Sequence, residues 1–183
     1  MKQSRRNFLK NTGMVIGGTL ILPACYHQPA PFRFFTPEEA KRLIAICECI
    51  IPADDAPGAT DAGVIYYIDK QLAGFFRKFQ QAYQEGLAMV KKDCRKIYGS
   101  EFESLSFPKQ NEYLKLMESN APGLNSWTGN HPSDFFNLVL SHTMQGFYGP
   151  PRHGGNKNYA SYRMLGIGYP AIIGQNHYKK IKR

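Results

Sequence analysis

The sequence has 183 residues, 23 of them Lys or Arg and 14 of them Asp or Glu, for a formal net charge of +9. Residues 1–24 have the features of a removable leader, and the 159 residues after it suffice for one domain with a sizeable core but not for two. Four basic residues and no acid lie in that leader, so the rest of the chain carries a net charge of +5.

The first element is a twin-arginine start over residues 4–10, with Arg5 and Arg6 as the pair. It resembles the signal read by the bacterial twin-arginine export system, which carries folded proteins across the inner membrane. The uncharged, Gly-rich apolar stretch over residues 11–22 then gives the basic-then-apolar layout of a secretory leader. At about a dozen residues this stretch is too short to span a bilayer. We therefore expect export to the periplasm, which argues against a nucleic-acid partner.

The end of the leader, Leu-Pro-Ala-Cys at residues 22–25, resembles a lipobox. We expect lipidation of Cys25, which would tether the protein to a membrane without a spanning helix. The alternative is an ordinary leader with an incidental cysteine. Residues 25–35 contain two prolines and are predicted to form a short extended tether, and residues 36–183 form the domain. The basic run at 179–183 is interpreted as a solvated tail, with contact to anionic lipid as the functional alternative.

The domain is predicted to be all-α, a compact bundle of about five helices followed by a long irregular C-terminal segment. Residues 36–39, Thr-Pro-Glu-Glu, predict the first helix start, because Thr can cap, Pro suits the first turn and the second Glu completes a capping box. This helix should end before Pro52. A second helix is expected to be capped by Thr60 or Asp61.

The longest apolar stripe of the chain recurs in steps of three and four between Phe76 and Ile97. It predicts one amphipathic helix, ended by Gly99. Helical periodicity fails after residue 149. The other predicted elements are a helix over 106–117, a loop over 120–130 and a helix from 132.

Three cysteines remain beyond Cys25, namely Cys47, Cys49 and Cys94. An odd number in an oxidising compartment allows one disulfide and one leftover thiol. Cys47 and Cys94 both lie on core-facing stripes and are our predicted pair, in preference to Cys49–Cys94; ordinary buried thiols are the alternative. Cys47-x-Cys49 lacks a second cysteine pair at metal-ligand spacing, so no metal site is predicted.

Residues 146–156, Gly-Phe-Tyr-Gly-Pro-Pro-Arg-His-Gly-Gly-Asn, form an unusual string whose Gly, Pro and Asn permit tight turns. Disordered segments are poor in aromatic residues, unlike this one, and Tyr and Arg are favoured at protein–protein hot spots. We therefore predict an ordered loop that docks onto a partner; the alternative is a loop folded back onto its own domain. The predicted partner-facing residues are Phe147, Tyr148, Arg152, Gly154, Gly155, Asn156, Arg163 and Tyr169.

These motifs resemble the gluconate 2-dehydrogenase subunit 3 family. The resemblance is carried by Gly-Phe-Tyr and Pro-Arg-x-Gly-Gly-Asn within 146–156, by Gly-x-x-Tyr-Pro at 166–170, and by Pro-Gly-Ala-Thr-Asp-Ala-Gly at 57–63. Ile68 and Asp69 also fit the family's N-terminal motif. Together these motifs cover most of residues 36–170.

The resemblance implies a small, non-catalytic subunit of a membrane-associated dehydrogenase. Its large partner would resemble a glucose–methanol–choline oxidoreductase with bound FAD, oxidise a sugar or another alcohol, and pass electrons to a cytochrome c subunit or the respiratory chain. The small subunit would help its partner to mature and lend it the export signal.

The residues themselves agree with this reading, because the sequence has no strand followed by Gly-x-Gly-x-x-Gly and no histidines at metal-ligand spacing. We assign no catalytic, cofactor-binding or metal-binding residue to this chain. The alternatives are a stand-alone exported lipoprotein serving as a binding or structural module, and an exported enzyme acting alone.

Overall fold

The computed structural model describes residues 32–124, 126–127, 129 and 131–168. Every regular element within these residues is helical, which confirms the predicted all-α class. None of the helices among them combines the length and apolarity that a bilayer crossing requires. The leader with Arg5 and Arg6, the lipobox Cys25, Tyr169 and the basic tail lie outside the described residues. The α-helices are α1 (Pro37–Ile50), α2 (Val64–Leu72), α3 (Gln80–Tyr98), α4 (Phe107–Glu118), α5 (Pro132–Tyr148) and α6 (Ala160–Met164).

Helix α5 is the centre of the bundle, since it contacts each of the other five α-helices of the described chain. Its start at Pro132 is as predicted. Val139, Thr143 and Phe147 follow one another at every fourth position along it, and all three are fully buried. A helix surrounded in this way gains its stability from packing more than from intrinsic propensity.

The start of α1 confirms the predicted capping box. The Thr36 hydroxyl oxygen accepts the Glu39 backbone N–H at 3.3 Å, and the Glu39 carboxylate accepts the Thr36 backbone N–H at 2.9 Å. Pro37 occupies the first turn, where its missing N–H removes no hydrogen bond. The helix ends at Ile50, before Pro52, as the sequence predicted.

Helix α2 begins at Val64, so the predicted caps Thr60 and Asp61 are wrong. The Thr60 hydroxyl donates to the Glu48 carboxylate at 2.6 Å, and the Asp61 carboxylate accepts the Gly58 backbone N–H at 3.2 Å. Both side chains therefore hold the loop between α1 and α2 in place. Neither of them caps the helix that follows.

The stripe between Phe76 and Ile97 was predicted to form one helix, and this prediction is wrong. The Phe76 N–H donates to the Gln71 carbonyl at 2.7 Å, which folds the chain back over the end of α2. Arg77–Phe79 then forms a single 3-10 turn before α3 begins. Gly99 ends α3 in the left-handed region at φ +68°, as predicted.

The predicted Cys47–Cys94 disulfide is not formed in the structure, where Cys47, Cys49 and Cys94 are free thiols. The Cys47 sulfur accepts a hydrogen bond from the Thr143 hydroxyl at 3.2 Å, so it is engaged by α5. Burial raises the pKa of Cys47 and of Cys94 to about 12, and both thiols stay protonated at neutral pH. Buried thiols were the alternative to the disulfide, and the structure has them.

Residues 32–35, which the sequence analysis assigned to the tether, are packed against the domain. The Asp69 carboxylate, buried on α2, receives three backbone N–H groups from this segment. Oδ2 accepts from Arg33 at 2.8 Å. Oδ1 accepts from Phe34 at 2.9 Å and from Phe35 at 3.2 Å. The folded part of the chain therefore includes residues before the α1 cap.

Asp69→Ala is expected to lower the free energy of unfolding by about 3 kcal/mol, because hydrogen bonds to a charged acceptor contribute about 1.5–3 kcal/mol. Urea unfolding measures this loss, and trypsin cleavage after the exposed Arg33 should become faster. Asp55→Ala is the matched control, since Asp55 is exposed in the loop after α1. Equal stability of the two variants would contradict the anchoring role.

Candidate partner-binding surface

The chain after α5 turns back onto that helix at two glycines. A Cβ built on Gly155 would lie 2.1 Å from the carbonyl oxygen of Gly146 in α5. A Cβ on Gly146 would in turn lie 3.0 Å from the Tyr67 ring and 3.2 Å from Val64, both on α2. The two backbones thus meet with no room for a side chain at position 155, so glycine is required there.

Asn156 closes the loop over residues 149–156, which we call the clasp loop. Its side chain is buried, and its backbone lies in the left-handed region at φ +47°, which Asn tolerates better than most residues. Nδ2 donates to the Gly149 carbonyl at 3.0 Å, and Oδ1 accepts the Ser161 backbone N–H in α6 at 2.9 Å. One side chain therefore ties the start of the clasp loop to the helix that follows it.

The clasp loop is also fastened to α2. The Lys70 ammonium on α2 donates to the Arg152 carbonyl at 3.0 Å. Directly after the clasp loop, the Lys157 backbone N–H donates to the carbonyl of Ala62, in the loop that precedes α2, at 2.9 Å. Gly154 passes over the backbone of Tyr66 at φ +111°. The segment from 149 to 161 consequently bridges the C-terminal end of α5 and the length of α2.

The residues predicted to face a partner divide into two groups. Phe147 lies in the core, and Gly154, Gly155 and Asn156 shape the clasp loop on its own domain, as the alternative reading stated. The exposed residues are Tyr148, Arg152 and Arg163, while Tyr169 lies outside the described part of the chain. Only the exposed group remains available to a partner.

Large exposed apolar side chains occur in the same C-terminal part of the described chain as these exposed residues. Met144 and Tyr148 lie one turn apart on α5 and are 42% and 39% exposed. At the end of α6, Leu165 is 54% exposed. Single exposed apolar side chains are common on protein surfaces. Here they occur in one segment with exposed Tyr and Arg, and aromatic residues, Met and Arg are enriched at interfaces. We define the docking face as Met144, Tyr148, Arg152, Lys157, Arg163, Met164, Leu165 and Ile167.

His142 is buried on α5. Its Nδ1 lies 3.0 Å from the Tyr83 hydroxyl, and its ring stacks on Phe76 with the ring centres 4.4 Å apart. Desolvation lowers the pKa of His142 to about 4, and burial raises the pKa of Tyr83 well above its usual range. Both groups are therefore neutral at pH 7 and serve packing.

An apolar groove of about 430 Å³ between α3 and α5 was missed by the sequence analysis. Trp127 closes one side of it and is held by its indole N–H, which donates to the buried Asp93 carboxylate at 2.9 Å. The available signals were the single Trp of the chain and Gly86, which interrupts the apolar helix where Phe135 packs against it. The apolar lining is Phe79, Ala82, Gly86, Met89, Trp127, Phe135 and Leu138, and the polar lining is Glu85, His131 and Asp134.

The described residues contain no group of three or more His, Cys, Asp or Glu side chains placed to hold a metal ion. Their buried Cys and Tyr groups with raised pKa values lie on α1, α2, α3 and α4.

The family model described as gluconate 2-dehydrogenase subunit 3 matches residues 37–169, which include α1 to α6 and the whole clasp loop. The chain belongs to the gluconate 2-dehydrogenase subunit 3 family. No curated protein and no solved structure matches it significantly. The gluconate 2-dehydrogenase subunit 3 family is named for a subunit of a dehydrogenase, so its members associate with other subunits of such a complex.

Proposed function

We propose that this chain is the non-catalytic small subunit of a periplasmic, FAD-dependent dehydrogenase whose large subunit is of the glucose–methanol–choline type. The family match carries the proposal, because it assigns this chain to a class of dehydrogenase subunits. FAD and the oxidation of a sugar, sugar acid or other alcohol belong to the large subunit. Electrons pass from it to a cytochrome c subunit or to the respiratory chain.

The small subunit has two tasks in this proposal. It binds the large subunit through exposed residues of the docking face and assists its maturation. It also supplies the twin-arginine signal of Arg5 and Arg6, by which the assembled pair is exported in a folded state. Lipidation of Cys25 holds the complex at the membrane.

Purification of the tagged chain from membranes of its native host tests the subunit assignment. We expect a larger, yellow protein to co-purify, with the absorption spectrum of FAD and with alcohol oxidation measured through a dye acceptor. Recovery of this chain alone as a stable monomer would instead support the stand-alone lipoprotein. Turnover of substrate by the chain alone would support the exported enzyme.

Arg5→Lys combined with Arg6→Lys is expected to keep both this chain and the flavoprotein in the cytoplasm. The substitution preserves the positive charge, so a loss of export reports on recognition of the arginine pair. Cell fractionation with immunodetection of the flavoprotein measures the outcome, and Lys2→Gln is the control for a change outside the pair. A flavoprotein that still reaches the periplasm would contradict the escort role.

A further inference from the structure

Acidic and basic residues are distributed unevenly along this chain. All 14 acidic residues lie between Glu38 and Asp134, and seven basic residues with no acid follow Asp134. Three of those basic residues are described, Arg152, Lys157 and Arg163, and all three are exposed on the docking face. This face is therefore positive.

The positive charges of the docking face form no ion pair within the described part of the chain. The described chain forms ion pairs between Arg42 and both Glu101 and Glu103, and between Arg95 and Glu101. No carboxylate within the described residues forms an ion pair with any of the three basic residues of the docking face. Asp61, in the loop that the Lys157 backbone contacts, directs its carboxylate to the Gly58 N–H. The Arg152 Nε–H donates to His153 Nε2 at 3.1 Å. The terminal guanidinium nitrogens of Arg152, and the charged groups of Lys157 and Arg163, have no carboxylate partner within the described residues and can pair with carboxylates from outside.

The clasp loop holds Arg152 on a fixed backbone, and Lys157 and Arg163 follow it in segments that are also hydrogen-bonded to the domain. Gly155 lies against Gly146, Asn156 bonds both to Gly149 and to α6, and the Arg152 carbonyl is held by Lys70. Because the loop is ordered before a partner arrives, binding costs less conformational entropy than it would for a mobile segment. Fixed arginines favour a partner whose carboxylates match their positions, since guanidinium and carboxylate pair in a planar, two-pronged geometry.

We propose that the docking face binds a carboxylate-rich protein surface with an apolar centre, located on the large subunit; this rests on the proposed function. Tyr148, Met164 and Leu165 bury apolar area at the middle of the contact, and aromatic residues, Met and Arg are the residue types enriched there. Arg152, Lys157 and Arg163 form the charged rim. Anionic lipid is the other anionic surface in reach, and it would require neither a fixed backbone nor a mixture of aromatic and arginine side chains.

The test compares full-length complexes in which the three rim charges are reversed, Arg152→Glu, Lys157→Glu and Arg163→Glu together. The control reverses three exposed lysines on α3 and α4, Lys92→Glu, Lys96→Glu and Lys115→Glu. We expect the Kd for the large subunit to rise about 100-fold at low salt in the rim variant and less than about threefold in the control. The wild-type Kd should rise with NaCl concentration, and the rim variant should lose this salt dependence.

A second variant with the same three residues changed to Gln removes charge without introducing repulsion, and its Kd should fall between wild type and the reversed variant. Equal Kd values for all variants, with the complex intact, would overturn the inference and leave the proposed function standing. Failure of the wild-type chain to bind a flavoprotein would overturn both. One further result would assign the face to lipid and overturn the inference. In that result, the charge-reversed rim variant keeps the wild-type Kd for the large subunit but no longer sediments with phosphatidylglycerol vesicles, while its sedimentation with phosphatidylcholine vesicles equals that of the wild type.

Discussion

Gly155→Ala is expected to lower the free energy of unfolding by about 3 kcal/mol, at the upper end of the usual cost of overpacking. The new methyl group would be placed 2.1 Å from the Gly146 carbonyl oxygen. That oxygen belongs to the backbone of the central helix α5 and cannot move aside as a flexible side chain would. The clasp loop must lift instead, which breaks the Asn156 hydrogen bonds and displaces Arg152. Chemical denaturation of the purified variant measures the loss.

Gly168→Ala is the matched control for this prediction. It makes the same chemical change in the same C-terminal segment, but no atom lies within 4 Å of the Cβ position. Its free energy of unfolding should change by less than about 0.5 kcal/mol, as is usual for surface substitutions. A Gly155→Ala variant as stable as the Gly168→Ala variant would show that the close approach of the two backbones is not rigid.

Acidification from pH 6.5 to about pH 4 is expected to destabilise the domain through His142, by about 3 kcal/mol in total. In the folded state the His142 pKa is lowered to about 4 by desolvation, whereas its ordinary value is 6.5. Between these two values the unfolded chain binds a proton that the folded chain does not. Stability contributed by this group is therefore complete above pH 6.5, falls as the pH drops towards 4, and does not fall further below that.

Comparison with His142→Gln isolates this contribution from the carboxylates, which also titrate in acid. Gln retains an acceptor for the Tyr83 hydroxyl but does not titrate. Urea unfolding at pH values from 7 to 4 should give a steeper loss of stability for the wild type than for the variant. Parallel pH profiles would mean that His142 binds its proton in the folded state as easily as in the unfolded state.

The helical class and the first and fifth helices followed from local signals. The capping box at Thr36 is formed by residues three positions apart, so the sequence shows both partners at once. The start of α5 at Pro132 is equally local. Predictions from such local signals are confirmed because no distant contact competes with the local interaction.

The errors occurred where distant residues decide the local structure. Thr is a residue type that caps helices well, but the Thr60 hydroxyl donates its hydrogen bond to the Glu48 carboxylate of the preceding helix. Phe76 fits a helical stripe, yet its backbone is bound by Gln71 at the end of α2. Cys47 faces the core as predicted, and its nearest partner is Thr143, which is 96 positions further along the chain. None of these partners can be identified from spacing alone.

The sequence singled out the segment of the candidate site as a partner-docking loop, which stays a prediction, and it did not separate the residues that shape the loop from those that are exposed. A Gly-Gly-Asn string indicates unusual backbone geometry, and here that geometry serves the attachment of the clasp loop to its own domain. The Tyr and Arg residues beside it are exposed. The single Trp and Gly86 hint at the groove closed by Trp127, but its full lining does not follow from the sequence, because it comes from two helices and a loop that are brought together only by folding.

The Asp69 carboxylate accepts the backbone N–H of Arg33 and so fixes the chain to the domain at that residue. Only a short segment then connects the domain to any anchor at the end of the leader. Seven residues separate Cys25 from Arg33. Even fully stretched, this stretch reaches about 28 Å, at about 3.5 Å per residue. A lipid on Cys25 would thus keep α2 and the first turn of α1 within roughly one bilayer thickness of the membrane surface. A bound flavoprotein would then be confined to the layer where membrane-associated electron acceptors operate.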